Sequence, residues 1–389
     1  MTATFLHTAD WQLGKPFARI ADLQKRSMVQ QERLAVLDRI AEAARQGGAQ
    51  FILVAGDLFD SPSATKATVA AACSALGRMA VPVLAIPGNH DHGGPGSLWK
   101  QEFFKRECAA LAPNFRMLLT AEPVELDHAV VFPCPLLRRA ESIDPTAWLR
   151  DPDVSSAANP DKPRIVLAHG SVQGFGGDSD DEESPVGSNR IDLTRLPAGA
   201  FDYIALGDWH GTKMISPNAW YSGTPEPDRF PKSDANEPGH VLRVAAKRGA
   251  LPQVERVTTA RLRWRQISWE FTEDSALPAL QQEITDWLGQ RAGQDLLRLE
   301  LSGSLGIAAG AALEQALESW EARLLRLKLT DLTATAPTSG ELAALTQRAD
   351  DPLIARVACQ LSEKAAGTGE DAAIARLALR ELYVLAGAA

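Results

Sequence analysis

A chain of 389 residues is longer than one ordinary hydrophobic core supports, so two or three domains are expected. With 45% hydrophobic and 23% charged residues, it is excluded from the wholly disordered, collagenous and coiled-coil classes. A net charge of −9 excludes coating nucleic acid by bulk electrostatics, so contact with nucleic acid would need a local basic surface, a metal or a partner. No apolar run approaches the ~20 residues of a membrane span, so no membrane association is expected. Cys73, Cys108, Cys134 and Cys359 form no CxxC pair. Their spacing argues against a zinc ribbon or disulfide scaffold and for a reducing, cytoplasmic location. The opening MTATFLHTADWQLG has no basic stretch leading into an apolar one, so no signal peptide is expected.

In chain order, Thr4 to Thr8 reads as a short strand ending at a polar cluster. Lys25 to Gln46 carries Met28, Leu34, Leu37, Ile40 and Ala44 at helical spacing and stops at Gly47-Gly48. Phe51 to Ala55 is a continuous apolar run, as in a strand buried on both faces. A helix over about Ser63 to Met79 and a strand over Val81 to Ile86 come next. Further strands are expected at Ala129 to Phe132, Arg164 to Ala168 and Phe201 to Leu206. Gly170 to Asn189, with the acidic run Asp178 to Glu183, reads as a mobile surface loop. From His240 to Phe271 the alternation is that of β structure. A small α/β unit then begins: helix Leu277 to Leu288, strand Leu296 to Leu301, helix Ala308 to Arg323 and strand Leu324 to Leu329. Pro337 to Gly340 reads as a linker to two or three short helices. The expected division is 1–270, 271–335 and 340–389, in a layered α/β fold with helices outside the sheets.

The chemistry lies in the loops at the ends of the strands. Asp10, Asp57, the run Gly88-Asn89-His90-Asp91-His92, His169, and Gly207-Asp208-Trp209-His210 each come directly after an apolar strand. One Gly-Asp or His-Gly dipeptide in such a place is ordinary turn chemistry. Five in succession are not coincidence, because ligands of layered α/β proteins bind beyond the carboxyl ends of strands. Mixed Asp, Asn and His donors without thiolates suit Mn²⁺, Zn²⁺ or iron, and oxygen-rich shells pull toward Mn²⁺ or Mg²⁺. Two such cations suit in-line phosphoryl transfer.

At HTADWQLG, GDLFD, PGNHD, AHG, GDWHG and YSGTPEP, spanning residues 7 to 227, the chain resembles the calcineurin-like metallophosphoesterase superfamily. Within it, the chain is similar to the SbcD-type DNA repair exonuclease family. The resemblance implies a sandwich of two β-sheets flanked by helices, with a small α/β capping domain and C-terminal helices. It also implies two divalent metal ions, Mn²⁺ first and Mg²⁺ second. Asp10 and His210 would hold the first metal, Asp57 would bridge, and Asn89 and His169 would hold the second. His90 would sit by the scissile phosphate and donate a proton to the leaving oxygen, with Asp91 orienting its imidazole. The nucleophile would be a water or hydroxide on the two cations. DNA as substrate, an SMC-like ATPase of SbcC type as partner, and a homodimer belong to the same expectation. Two positions depart from the family pattern: Gln12 and Asp208 stand where it has histidines. Both still offer oxygen, so ligation by Gln12 and Asp208 is expected, with a harder site.

Other residues carry two readings. His7 is expected in the core or behind the ligands rather than among them. Trp11 and Trp209 either pack or wall the cleft. Arg243, Lys247, Arg248, Arg256, Arg261, Arg263 and Arg265, interleaved with Trp264, form a basic stretch that either contacts a DNA backbone or is the exposed face of a sheet. Arg261, Arg263 and Arg265 are the DNA-binding candidates. Leu353, Ile354, Val357 and Leu361 mark an apolar helix face that closes the fold or docks a partner. A metal-dependent DNA phosphodiesterase is the leading function. A small-molecule or nucleotide phosphodiesterase, and a scaffold subunit with a decayed metal site, are the alternatives.

Overall fold

Where strands are apolar on both faces, both faces must be covered. In the computed structural model they are. The structure describes the chain apart from residues 152, 155–158, 173–187, 232–236, 336–337 and 388–389. The acidic run Asp178 to Glu183 lies outside the described residues. The chain divides into two units, Met1–Arg263 and Trp264–Ala389.

The first unit is a sandwich of two six-stranded sheets. One sheet runs Gln253–Thr258, His240–Lys247, Thr2–Thr8, Phe51–Ala55, Val83–Ile86, Phe115–Met117 from edge to edge, its last four strands parallel. The other runs Lys213–Ser216, Ala219–Tyr221, Tyr203–Gly207, Arg164–His169, Val130–Cys134, Val124–Glu125. Its four inner strands are likewise parallel. Alternate residues of each strand turn to opposite cores. Phe5, Phe51, Leu53 and Leu84 meet Val131, Ile165, Leu167 and Tyr203 between the sheets. Leu6, Ile52, Val54 and Val83 face outward onto Val36, Leu37, Ile40 and Val69 of the helices Leu23–Gln46 and Lys66–Gly77. Those helices begin where the Asp22 carboxylate accepts from the Lys25 N–H at 2.9 Å and the Thr65 hydroxyl accepts from the Thr68 N–H at 3.1 Å. Gly47 ends the first of them, as its spacing predicts.

Among the core residues between the sheets, His7 is polar and fully buried. Its Nε2–H donates to the Leu206 carbonyl at 3.1 Å, and its Nδ1 accepts from the Tyr203 hydroxyl at 3.0 Å. Of the two places expected for it, in the core or behind the ligands, it takes the core. Burial pushes its imidazole down to about 3, against the pull of the Leu206 carbonyl. An unfolded His7 takes up a proton below about pH 6.5, whereas the folded one stays neutral until about pH 3. Its contribution is therefore intact above pH 6.5 and is lost as pH falls through that window, to a limit on the order of 5 kcal/mol. The thermal unfolding midpoint should drop between pH 6.5 and 4.5, and His7→Asn should flatten that slope. An equally steep slope in the variant would assign it to another group.

The second unit carries a sheet in the order Arg263–Phe271, Asp295–Leu305, Arg326–Asp331, with Ala334–Thr335 also paired to Asp295–Leu305. Leu280, Ile284 and Leu288 of helix Ala276–Leu288, and Leu313 and Trp320 of helix Ile307–Arg323, join Leu297, Leu299 and Leu301 in its core. Two boundaries differ from the sequence reading. Strand Arg263–Phe271, expected to close the first domain at 270, instead pairs with Asp295–Leu305, so the division comes earlier. The stretch expected as a linker contains the start of a helix. Thr338 caps Ser339–Thr346 in a reciprocal capping box with Glu341. The Glu341 carboxylate also accepts from the N–H groups of Ile307 and Ala308 at 3.1 and 2.7 Å, which joins the C-terminal helices to the α/β unit.

Candidate metal centre

The loops that leave the parallel strands are strained where they carry chemistry. Asp10, Gln12, Asp57 and Asp208 have φ of 55°, 43°, 56° and 106°, a region that side-chain-bearing residues rarely enter. Each costs of order 1–3 kcal/mol and is held only by its surroundings. Gly56 (φ 91°) precedes Asp57, and a Cβ there would stand 2.2 Å from His169 Nδ1. A Cβ on Gly88 would stand 2.1 Å from Asp57 Oδ1. These two glycines are the room the cluster occupies.

Asp10, Asp57 and His169 bring one ligand atom each to within 4.8 Å of one another, all buried. His169 Nδ1–H donates to the Ala55 carbonyl at 2.7 Å, which aims Nε2 into the cluster. There Nε2 lies 2.8 Å from Asn89 Oδ1, 3.6 Å from Asp57 Oδ2 and 3.8 Å from Asp208 Oδ1. The Ser171 hydroxyl donates to Asp208 Oδ2 at 2.7 Å, and the Asp208 N–H donates to the Asp10 carboxylate at 3.2 Å. Burial works against a charged His169, but Asp57, Asp10 and Asp208 outweigh it and push the imidazole up to about 9. Burial pushes Asp10 well above the usual carboxylate range, with His169 opposing and Asp57 and Asp208 adding to it. A buried nest of carboxylates that stabilises an imidazolium is equally a nest for a divalent cation, whose binding displaces those protons. Asp10, Asp57, Asn89, His169 and Asp208 therefore fit a metal ion.

The other expected ligands meet each other, but in different company. His210 Nδ1–H donates to Asp228 Oδ1 at 3.0 Å. Its Nε2 faces the Arg229 guanidinium at 3.3 Å and the Gln12 amide nitrogen at 3.4 Å. Gln12 Oε1 accepts from the Lys15 ammonium at 2.5 Å, and that ammonium pairs with Asp228 at 2.7 Å and Asp60 at 3.7 Å. Burial raises the Asp228 carboxyl, but Arg229, His210 and Lys15 outweigh it and hold it well below its ordinary value. Burial and then Arg229 push the His210 imidazole down, so the ring is neutral with its proton on Nδ1. Like charges about 4 Å apart near a protein surface repel by about 4 kcal/mol per unit pair. Gln12 and His210 thus each present a ligand atom already engaged by a cationic or amide N–H donor, and they do not fit a second cation as they stand.

His90 borders the cluster. Its N–H donates to Asp57 Oδ1 at 2.9 Å, and its Nδ1 donates to the Asp60 carbonyl at 2.9 Å. The ring partner is thus Asp60, where the sequence reading assigned the orienting role to Asp91. The Asp91 carboxylate accepts instead from the N–H groups of Gly88 and Phe59, at 2.8 and 3.1 Å, and fixes the loop that carries Asn89 and His90. Buried Arg33, from the first helix, adds a support that periodicity concealed. It donates to the carbonyls of Asp10 and Glu226 and to the Thr224 hydroxyl, at 3.1, 2.8 and 3.0 Å. The other unforeseen residues, Lys15, Asp228 and Arg229, directly extend the motifs HTADWQLG and YSGTPEP.

Trp11 is fully buried in the outer core and donates to the Thr8 hydroxyl at 2.9 Å, so it packs. Lys213 sits over the Trp209 ring at 4.8 Å. The basic stretch is paired with acids: Arg243 with Glu255 across neighbouring strands, Arg248 with Asp202, Arg256 with Glu237 and Arg261 with Glu32. In the second unit, Arg265 pairs with Glu283. Arg243 and Arg256 lie on the strands of the first unit's sheet, Arg248 in the turn that follows one of them, and Arg261 beyond the last.

A family model described as calcineurin-like phosphoesterase matches residues 3–212. Among solved structures, the chain is similar to TT1561 of Thermus thermophilus at 14% identity and a TM-score of 0.39, over 67% of this chain and 100% of that one. A second solved structure matches at 12% identity and a TM-score of 0.39, over 66% of this chain and 99% of that one. Among the described residues, no helix is long and apolar enough to cross a membrane.

Proposed function

The chain belongs to the calcineurin-like phosphoesterase family, and from that premise we propose that it is a metal-dependent phosphodiesterase acting on DNA, the nuclease subunit of an SbcD-type repair complex. The observation that carries the reading is the buried convergence of Asp10, Asp57 and His169, completed by Asn89 and Asp208, with His90 at its border. When bound there, a divalent cation, Mn²⁺ in the first place, supplies Lewis-acid activation of water and phosphate. The residues do the rest. Asp57 holds the His90 backbone, the Asp60 carbonyl fixes the His90 ring, and proton transfer to the departing 3′ oxygen falls to Nε2. Ser171 keeps one oxygen of Asp208 turned into the cluster. Exposed Leu353, Ile374, Leu377 and Leu385 on the C-terminal helices support the docking of an SMC-like ATPase there.

The pairing of the arginines with acids favours one competing reading, a phosphodiesterase of nucleotides or other small diesters, because it removes the most basic surface from the argument for DNA. Linear duplex DNA, circular single strands and bis(p-nitrophenyl) phosphate, each assayed with Mn²⁺, Mg²⁺ and Zn²⁺, separate the two. Cleavage of linear DNA with Mn²⁺ is the expected result. DNA left intact under every metal, with and without the ATPase, alongside hydrolysis of the small diester, would move the assignment to the second reading.

A further inference from the structure

The two halves of the centre differ in what already occupies them. On one half, Asp10, Asp57 and His169 bring buried ligand atoms within 4.8 Å of one another, with Asn89 Oδ1 and Asp208 Oδ1 2.8 and 3.8 Å from His169 Nε2. Among the described residues, no lysine or arginine is bonded to the ligand atoms of Asp10, Asp57 or His169. On the other half, fixed cations already meet the ligand atoms that a second metal would use: the Lys15 ammonium donates to Gln12 Oε1, and the Arg229 guanidinium faces His210 Nε2 beside the Gln12 amide nitrogen. Asp228, almost fully buried, ties this half together by accepting from Lys15, Arg229 and the His210 Nδ1–H. Asp60 adds a second carboxylate beside Lys15. Lys15 and Arg229 keep 21% and 24% of their side chains open to solvent, so an incoming phosphate can reach both.

We propose that this centre takes a single divalent cation, held by Asp10, Asp57, Asn89, His169 and Asp208, and that Lys15 and Arg229, gathered around Gln12 and His210, stand in for the second cation as the groups that receive phosphate charge. The proposal rests on the phosphoesterase reading and specifies how its site is built. Gln12 follows from it. A neutral amide there accepts from an ammonium through oxygen and donates to an imidazole through nitrogen, which a histidine cannot do in both directions while remaining a metal ligand. Arg229 offers a planar fork suited to phosphate oxygens, and Lys15 a point charge.

The test is metal stoichiometry in the full chain. Protein stripped with chelator, reloaded with excess Mn²⁺ and desalted should retain one equivalent by elemental analysis. Its electron paramagnetic resonance spectrum should be the six-line signal of isolated Mn²⁺. Two equivalents with an exchange-coupled spectrum would overturn the proposal. No retained metal would overturn both it and the phosphoesterase reading, whereas uncut DNA beside one bound Mn²⁺ would remove the DNA assignment alone. The phosphate role has its own readout in calorimetric binding of inorganic phosphate to the Mn²⁺-loaded chain. Lys15→Met and Arg229→Met should each weaken phosphate about tenfold while Mn²⁺ stays at one equivalent. Unchanged phosphate affinity in both would refute the role given to the pair. Unaltered near-ultraviolet circular dichroism serves as the folding control. If either variant misfolds, the stoichiometry of the unaltered chain decides the cation count and the other variant decides the phosphate role.

Discussion

Asp57→Asn should leave a folded chain that has lost most of its metal and hydrolyses phosphodiesters at least 10²–10³-fold more slowly. The amide is nearly isosteric and can still accept the His90 N–H that Asp57 Oδ1 accepts at 2.9 Å. What it removes is a negative charge 3.6 Å from His169 Nε2, in a site where Asp57 is 1% exposed. Taking one partner from a buried charged pair costs about 3–5 kcal/mol, which is two to four decades in an affinity or a rate. Elemental analysis and a diester assay on the same preparation check this. Full metal content with an unchanged rate would remove Asp57 from the centre.

His90→Ala should behave differently. Metal content should stay at the level of the unaltered chain, while the rate falls by about 10²–10⁴, the range of a positioned general acid. His90 lies at the rim of the cluster: its backbone N–H meets Asp57, and its ring rests on the Asp60 carbonyl. Alanine keeps the backbone donor and deletes the ring. A diester with a leaving group that needs no proton, such as p-nitrophenolate, should recover much of the loss. A variant that instead sheds metal would show His90 to be a ligand, and the proton-transfer role would pass from it.

These residues could be read from the chain because the signal was local. A short run rich in apolar residues, with Asp, Asn or His at its end or within three residues beyond it, marks both a buried strand and the loop that follows, and Thr2–Thr8, Phe51–Ala55, Val83–Ile86, Arg164–His169 and Tyr203–Gly207 are such cases. The strands Phe115–Met117 and Ala219–Tyr221 are too short for alternation to register, and only their sheet neighbours define them. The cationic half of the centre was illegible for another reason. Lys15 and Asp228 each adjoin a motif, but they stand 213 positions apart and nothing in the sequence shows that they pair. Asp91 illustrates the limit of motif reasoning. Adjacency to His90 suggested that it served the ring, whereas the extended turn sends its carboxylate back onto two amides of the strand ends. The arginines of 243–265 looked like a surface for phosphates because their acidic partners Asp202, Glu237 and Glu32 come largely from outside the alternating strands.

The centre also spans a seam. Asp10, Asp57 and Asn89 hang from one sheet of the sandwich, and His169 and Asp208 from the other. Bonds from His169 to the Ala55 carbonyl and from Asp208 to Asp10 already stitch that junction. An ion seated there would become a clasp between two slabs whose shared face is otherwise mostly apolar, so its affinity would also be a force resisting their separation. Loading at a hundred times the dissociation constant would add about 2.7 kcal/mol to the stability of the whole sandwich, and mutations that loosen the slabs far from any ligand would surface first as a leaking metal.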